Sequence, residues 1–275
     1  MIRDITLGQY YPARSVIHQL DPRVKLVTTM IFIVSLFLAK GVTGYAIATV
    51  FLITVIRMSK VPFRFMTKGL KAILMILMLT VVFNLFLIDG DYELWRFGFL
   101  RITDKGLKTA VFMAVRLVYL ILGSSIMTLT TTPNDLTDGL ERLLGPFKKI
   151  HVPVHEIAMM MSIALRFIPI LLEETDKIMK AQIARGADFE TGNLIQKAKA
   201  MVPLLVPLFI SAFRRANDLA MAMEARCYHG GDGRTKMKPL HYERRDRIAY
   251  AVVWSYLLLM VGAGWAASFY GIMLL

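Results

Sequence analysis

The sequence predicts an all-α integral membrane protein: about five transmembrane helices plus a cytoplasmic coupling domain of long amphipathic helices. Three observations carry that prediction. Of 275 residues, 56% are hydrophobic and 19% charged, more apolar surface than a soluble domain of this length ordinarily hides. The apolar residues gather in five runs, over 24–39, 42–56, 69–88, 106–129 and 248–275. Thirty-three Lys and Arg against 20 Asp and Glu leave a net charge of +13, which beside apolar runs points to basic loops in the cytoplasm. Nucleic acid is the weaker reading of that charge, and none is expected as a partner; the lipid bilayer is.

The last three runs reach the roughly 20 residues that cross a hydrocarbon core of about 30 Å. The first two hold only about 15 each and fit with local thinning or with their polar flanks, so four to six spans are allowed. Lys40 and Gly41 separate them, a charge beside a helix breaker, which predicts a tight hairpin rather than one long helix. Arg3, Arg14, Arg23 and Lys25 precede or open the first span, and Arg57, Lys60, Arg64, Lys68 and Lys71 follow the second. The opposite side carries Lys40, Arg96, Arg101, Lys105 and Lys108, largely offset by Asp89, Asp91, Glu93 and Asp104. The basic side is expected to be cytoplasmic, with the N-terminus inside and, for five spans, the C-terminus outside. Residues 1–21 are polar and show no signal-peptide h-region. The single cysteine, Cys227, offers neither a disulfide framework nor a multi-cysteine metal site.

This divides the chain into a tail with four spans (1–130), a coupling domain (131–247) and a last span (248–275). The middle segment has 18 Lys and Arg against 14 acids and opens with Thr132-Pro133-Asn134-Asp135, a helix cap. The short helix that follows runs through Leu136, Leu140, Leu143 and Leu144 to Gly145-Pro146. Two long helical patterns come next, one through Ile157, Met160, Ala164, Ile168, Leu171 and Ile183, the other through Leu205, Phe209, Phe213, Leu219 and Met223. Their first halves are nearly free of charge and contain Pro169, Pro203 and Pro207, which should bend them.

Each pattern ends alike, in Ala184-Arg185-Gly186 and in Ala225-Arg226-Cys227. Small neighbours leave the guanidinium fork open to a partner's carboxylates or carbonyls. Cations suit helix C-termini in any case, so plain capping stands beside docking as a reading of either triplet alone. The repetition, 226 − 185 = 41 residues apart, favours docking.

These ends, with His18-Gln19-Leu20-Asp21-Pro22-Arg23-Val24-Lys25-Leu26, Arg166-Phe167-Ile168-Pro169, Pro203-Leu204-Leu205-Val206-Pro207-Leu208 and Met223-Glu224-Ala225-Arg226-Cys227-Tyr228, resemble the EcfT family. EcfT proteins are the transmembrane coupling components of energy-coupling factor (ECF) vitamin transporters, and the likeness runs over nearly the whole chain. The resemblance implies crossed coupling helices whose Arg185 and Arg226 each dock into one of two ABC-type ATPase subunits, EcfA and EcfA′. Ala184, Gly186, Ala225 and Cys227 are then the small flanks, Cys227 departing from the family's usual glycine. It also implies an apolar surface for exchangeable substrate-binding S components, which assigns Met159, Met160, Met161 and Ala164 to that surface; core packing is the alternative for these methionines. No cofactor is expected in this chain, ATP and Mg being expected on the partner ATPases.

The residues agree with that division of labour. No G-x-x-x-x-G-K-[ST] loop occurs, so ATP hydrolysis by that route needs other subunits and the chain is not expected to be an enzyme. No carboxylate lies in the five runs as drawn, which weakens an ion-driven carrier. The rivals are a component dedicated to one S component (the cobalt, nickel or biotin type), a channel, or a membrane enzyme. Arg116, mid-span, must find a partner or snorkel, with packing and function both open. His151, His155 and Glu156 lack a third well-spaced metal ligand, and no metal site is expected. Gly230-Gly231-Asp232-Gly233 reads as a helix stop and connection. Lys236, Lys238, Arg244, Arg245 and Arg247 form a basic group suited to anionic headgroups.

Overall fold

The computed structural model describes residues 10–39, 41–88, 93–97, 100–189, 193–231, 233, 237 and 239–269. The expectations placed on Arg3, Lys40, Asp89, Asp91, Asp232, Lys236, Lys238 and the last residues of the chain lie outside these. Eight α-helices are described: α1 (Pro22–Leu38), α2 (Gly41–Ser59), α3 (Phe63–Leu87), α4 (Asp104–Thr130), α5 (Pro133–Leu144), α6 (Val154–Ala184), α7 (Leu194–Ala225) and α8 (Arg244–Phe269). The all-α class holds. The additions to it are a short 3₁₀ turn, Gly145–Ile150, and a small antiparallel hairpin of β1 (Glu93–Phe97) and β2 (Leu100–Thr103) that pairs Trp95 with Ile102 and Phe97 with Leu100.

Five described helices, α2, α4, α6, α7 and α8, are long and apolar enough to cross a membrane, and the chain is a multi-pass membrane protein. Three of them match expected runs. Helix α1 has 17 residues, about 26 Å at 1.5 Å per residue, and α3 carries the shorter apolar stretch Ile73–Phe86. Helices α6 and α7, expected in the cytoplasm, qualify on length and apolarity alone. The expected break at Gly41 is there: α1 stops at Leu38, Gly41 takes φ +61°, and α2 begins.

The described residues form two compact units, 10–139 with 240–269, and 140–239. In the first, Phe32 and Leu36 of α1, Ala48 and Leu52 of α2, Leu122 and Ile126 of α4 and Tyr256 and Met260 of α8 build the core. Phe51 and Tyr256 stack at 4.3 Å, and Tyr256 shares a 2.7 Å hydrogen bond with Ser35, which satisfies both hydroxyls in an apolar setting. Helix α4 approaches α1 so closely at Gly123 that a Cβ there would lie 2.6 Å from the Phe32 ring. Arg116 has its partner: Nε donates to the Tyr45 hydroxyl at 3.0 Å, and the guanidinium lies 5.5 Å from the Phe37 ring centroid. This favours the packing reading, a charge satisfied between α1, α2 and α4.

The start of α1 is a buried polar knot. Asp21 caps the helix by accepting from the Arg23 backbone N–H at 2.9 Å, and Pro22 supplies the fixed φ suited to a first turn. The Arg23 guanidinium closes on the same carboxylate at 3.0 and 2.7 Å and lies 3.8 Å above the Tyr242 ring. Asp246, 2% exposed, accepts from the backbone N–H groups of Asp21 at 2.9 Å and Glu243 at 2.8 Å, tying the starts of α1 and α8 together. Lys25 donates to the carbonyls of His18 at 3.0 Å and Thr130 at 2.8 Å, adding the C-terminal end of α4. Helix α8 therefore begins at Arg244, four residues before the apolar run, because Asp246 serves as its anchor. Near the end of this unit's part of α5, a Cβ on Gly139 would lie 3.0 Å from Pro22, so the helix sits directly on the knot.

The second unit centres on α6 and α7, of 31 and 32 residues, each continuous through its prolines. Helix α7 starts with Gln196 reaching back to the Asn193 N–H at 3.0 Å.

Candidate docking site at two helix ends

Along α6 the residues His155, Glu174 and Gln182 meet, in that order, Tyr228, Arg215 and Pro203. The partners fall in number as α6 rises, so the two helices lie antiparallel and their C-terminal ends point opposite ways. The Glu174–Arg215 ion pair, at 3.1 Å, lies eleven residues before each arginine, 185 − 174 and 226 − 215. At 1.5 Å per residue the two arginines stand about 33 Å apart along the helix axes.

Both helices close in the same way. Arg185 is the C-cap of α6, the Gly186 N–H donates to Ile183 O at 2.9 Å, and the Ala187 N–H donates to Gln182 O at 3.0 Å. Arg226 is the C-cap of α7, with the Cys227 N–H on Glu224 O at 2.8 Å and the Tyr228 N–H on Met223 O at 3.0 Å. This paired closure is the Schellman motif, and it requires a left-handed backbone one residue past the cap. Gly186 meets that at φ +87°, and Cys227 at φ +53°. The third position of each triplet is therefore set by backbone geometry as well as by size. Glycine adopts it freely, whereas a residue with a Cβ gives up about 1–2 kcal/mol.

All six triplet residues, Ala184, Arg185, Gly186, Ala225, Arg226 and Cys227, are exposed. Neither guanidinium has a hydrogen bond or ion pair among the described residues, whereas Arg23, Arg116, Arg215 and Arg245 all do. Two unengaged forks at opposite ends of a helix pair can receive carboxylates or carbonyls from two separate partners. The methionine group divides: Met160, with Ile157 and Ala164, is exposed on one face of α6, and Met159 and Met161 are half-buried. On α7, Leu205, Phe209 and Phe213 are likewise more than half exposed.

The sequence profile of the cobalt transport protein family, CbiQ, matches residues 13–237. A relative from Clostridium kluyveri, named energy-coupling factor transporter transmembrane protein EcfT, is 60% identical over 250 residues, covering 90% of this chain and 93% of its own length. Relatives of the same name from Thermosediminibacter oceani and Bacillus subtilis are 56% and 50% identical, each over 90% of this chain and 94% and 93% of theirs. The chain belongs to the EcfT family. The residues that carried the resemblance take different places in this EcfT-family chain: the Asp-Pro-Arg opening forms the buried knot, and the arginine triplets form the helix ends. The relatives' names are those of a transporter's membrane component, not of an enzyme.

Two placements were not legible from the sequence. The Gly230-Gly231 stretch does not stop α7, because Cys227 already takes the left-handed position there and Gly231 instead packs on His155. His155 itself pairs with Glu141 at 3.0 Å rather than with His151 or Glu156. Its partners lie 14 and 73 residues away, which no local spacing reveals.

Proposed function

We propose that this chain is the transmembrane coupling subunit of an ATP-driven ECF-type vitamin importer, passing ATPase motion through α6 and α7 to exchangeable S components. The observation that supports this most is the pair of exposed, similarly closed arginine ends on antiparallel helices. One ABC-type ATPase subunit docks at Arg185 and the other at Arg226, and ATP and Mg bind on those subunits. Glu173, Glu174, Lys177 and Lys180 on α6, and Arg214, Arg215, Asp218 and Glu224 on α7, lie between the apolar halves and the arginines. So many charges do not sit in hydrocarbon, which supports a cytoplasmic location for these ends and, with the basic tail, for the N-terminus. The apolar faces around Met160, Ala164, Phe209 and Phe213 then meet the bilayer or an S component. Closure of the ATPases on ATP moves the two ends, and the coupling surface moves with them. An S component resting there tilts and opens its vitamin to the cytoplasm.

Arg185→Glu with Arg226→Glu tests the reading, because acceptors that receive arginine repel a carboxylate. Co-purification of the ATPase subunits with the doubly substituted chain should be lost and vitamin uptake with it; retention of both overturns the docking assignment. The profile's name, cobalt transport protein, favours a second reading in which the chain serves one dedicated S component. Native mass spectrometry of the tagged complex separates the two: a mixture of small membrane proteins supports the shared role, a single one the dedicated role.

A further inference from the structure

The chain just beyond Arg226 is fastened by a group that the docking reading does not use. His155, near the start of α6, places Nδ1 3.0 Å from Glu141 Oε1 and Nε2 3.5 Å from the Tyr228 hydroxyl. With Nδ1–H donating to the carboxylate, Nε2 is left to accept from Tyr228, so one ring joins both neighbours. Gly231 lies against the same ring, and a Cβ on it would stand 2.1 Å from His155 Cδ2. Thus α5, α6 and the segment two to five residues past Arg226 converge on one half-buried imidazole. At the other end, a Cβ on Gly186 would meet nothing within 4 Å.

We propose that His155 is a positioning residue for the Arg226 end: it fixes the chain following the second arginine, so that this end meets its partner preorganised. The inference rests on the docking reading of Arg226 for its consequence, but the clamp stands on its own contacts. Preorganisation strengthens binding by removing the ordering cost that a loose end pays on association.

The chain's only cysteine, Cys227, is exposed and adjoins Arg226, so a nitroxide attached to it reports on this end without any substitution. The measurement uses the full chain in lipid nanodiscs, with a nitroxide at Ala184→Cys in a Cys227→Ala background as the comparison. His155→Ala and Gly231→Ala should each shift the label at 227 toward fast motion and leave the label at 184 unchanged. Glu141→Gln should leave both unchanged, because the amide oxygen still accepts from Nδ1–H. A label at 227 that does not move in His155→Ala, or equal loosening at both sites, overturns the clamp. In the unlabelled chain co-expressed with its ATPase subunits, His155→Ala should weaken their retention about tenfold with both arginines intact. A loosened label with undiminished retention refutes the positioning role. If the Arg185→Glu/Arg226→Glu chain keeps its ATPases while the label still loosens, the docking reading alone has failed.

Discussion

Arg23 and Arg116 in the unit that contains α1 and α4 have their guanidinium groups engaged by the fold, whereas Arg185 and Arg226 in the unit of α6 and α7 have theirs unengaged among the described residues. The first pair have their guanidinium groups on Asp21 and Tyr45, inside a bundle that could not tolerate an unsatisfied charge. The second pair close helices through backbone atoms alone, which leaves their side chains to whatever arrives. Identical chemistry thus separates into side chains the fold engages and side chains it leaves exposed, according to which atoms satisfy the local backbone. At the α1 start, side chains satisfy it: Asp21 and Asp246 accept the free N–H groups. At the arginine ends a left-handed residue does so, and the side chain before it is released.

The sharpest way to break that contrast is to damage one side only. Asp246→Ala strips charged acceptors from two backbone N–H groups in a site 2% exposed, and should cost about 2–4 kcal/mol of stability. The expected outcome is a thermal midpoint several degrees lower for the detergent-solubilised chain, with ATPase subunits still bound to whatever remains folded. Asp246→Asn, which keeps one acceptor oxygen, should fall between. If ATPase association disappears at temperatures where the variant is fully folded, stability and recognition are not divided as described.

A smaller and opposite pair of effects tests the two closures against each other. Gly186→Ala places a Cβ at φ +87°, and should loosen the end of α6 by about 1 kcal/mol. Cys227→Gly relieves the same strain at φ +53° and should gain a similar amount at the end of α7. Hydrogen exchange of the Ala187 and Tyr228 amides, whose bonds to Gln182 and Met223 complete the closures, reads both changes locally. Protection should fall at 187 in the first variant and rise at 228 in the second. Unchanged protection in both would mean that the closures do not depend on left-handed backbone at the third triplet position.

Where sequence and structure agree, a local signal was sufficient. Apolar runs located α2, α4 and α8, Gly41 marked the break after α1, and the repeated Ala-Arg ends marked the stops of α6 and α7. The losses have one physical cause, contacts between residues distant in the chain. Asp246 drew no reading beside Arg245 and Arg247, because the N–H groups it accepts from, those of Asp21 and Glu243, include one 225 residues away. His155 looked like a failed metal ligand for the same reason. Cys227 looked like a departure from a glycine pattern, and only its φ shows that it performs the glycine's task at a cost. The β1–β2 hairpin went unread because its strands of five and four residues sit in a connection treated as a charged loop.

The smallest expected effect belongs to His18, in the turn before α1. Its Nε2 lies 2.9 Å from the Tyr11 carbonyl and its Nδ1 2.7 Å from the Ser15 hydroxyl, an arrangement that a neutral ring with its proton on Nε2 satisfies completely. Burial pushes the imidazole below its ordinary value; the Tyr11 carbonyl opposes that shift and the Lys25 charge adds to it. Because the folded chain holds this proton less tightly than the unfolded one, the ring's contribution to stability is complete above the unfolded value of about 6.5. It is lost as pH falls through the lower folded value. The thermal midpoint should therefore drop between pH 7 and pH 5, and in His18→Gln, whose amide N–H can still donate to the Tyr11 carbonyl, the drop should shrink. The neutral ring belongs to the α1 knot and not to the arginine ends, so ATPase retention over the same range should follow the folded fraction. An equal drop in both proteins would assign the acid sensitivity to other groups and leave His18 a spectator.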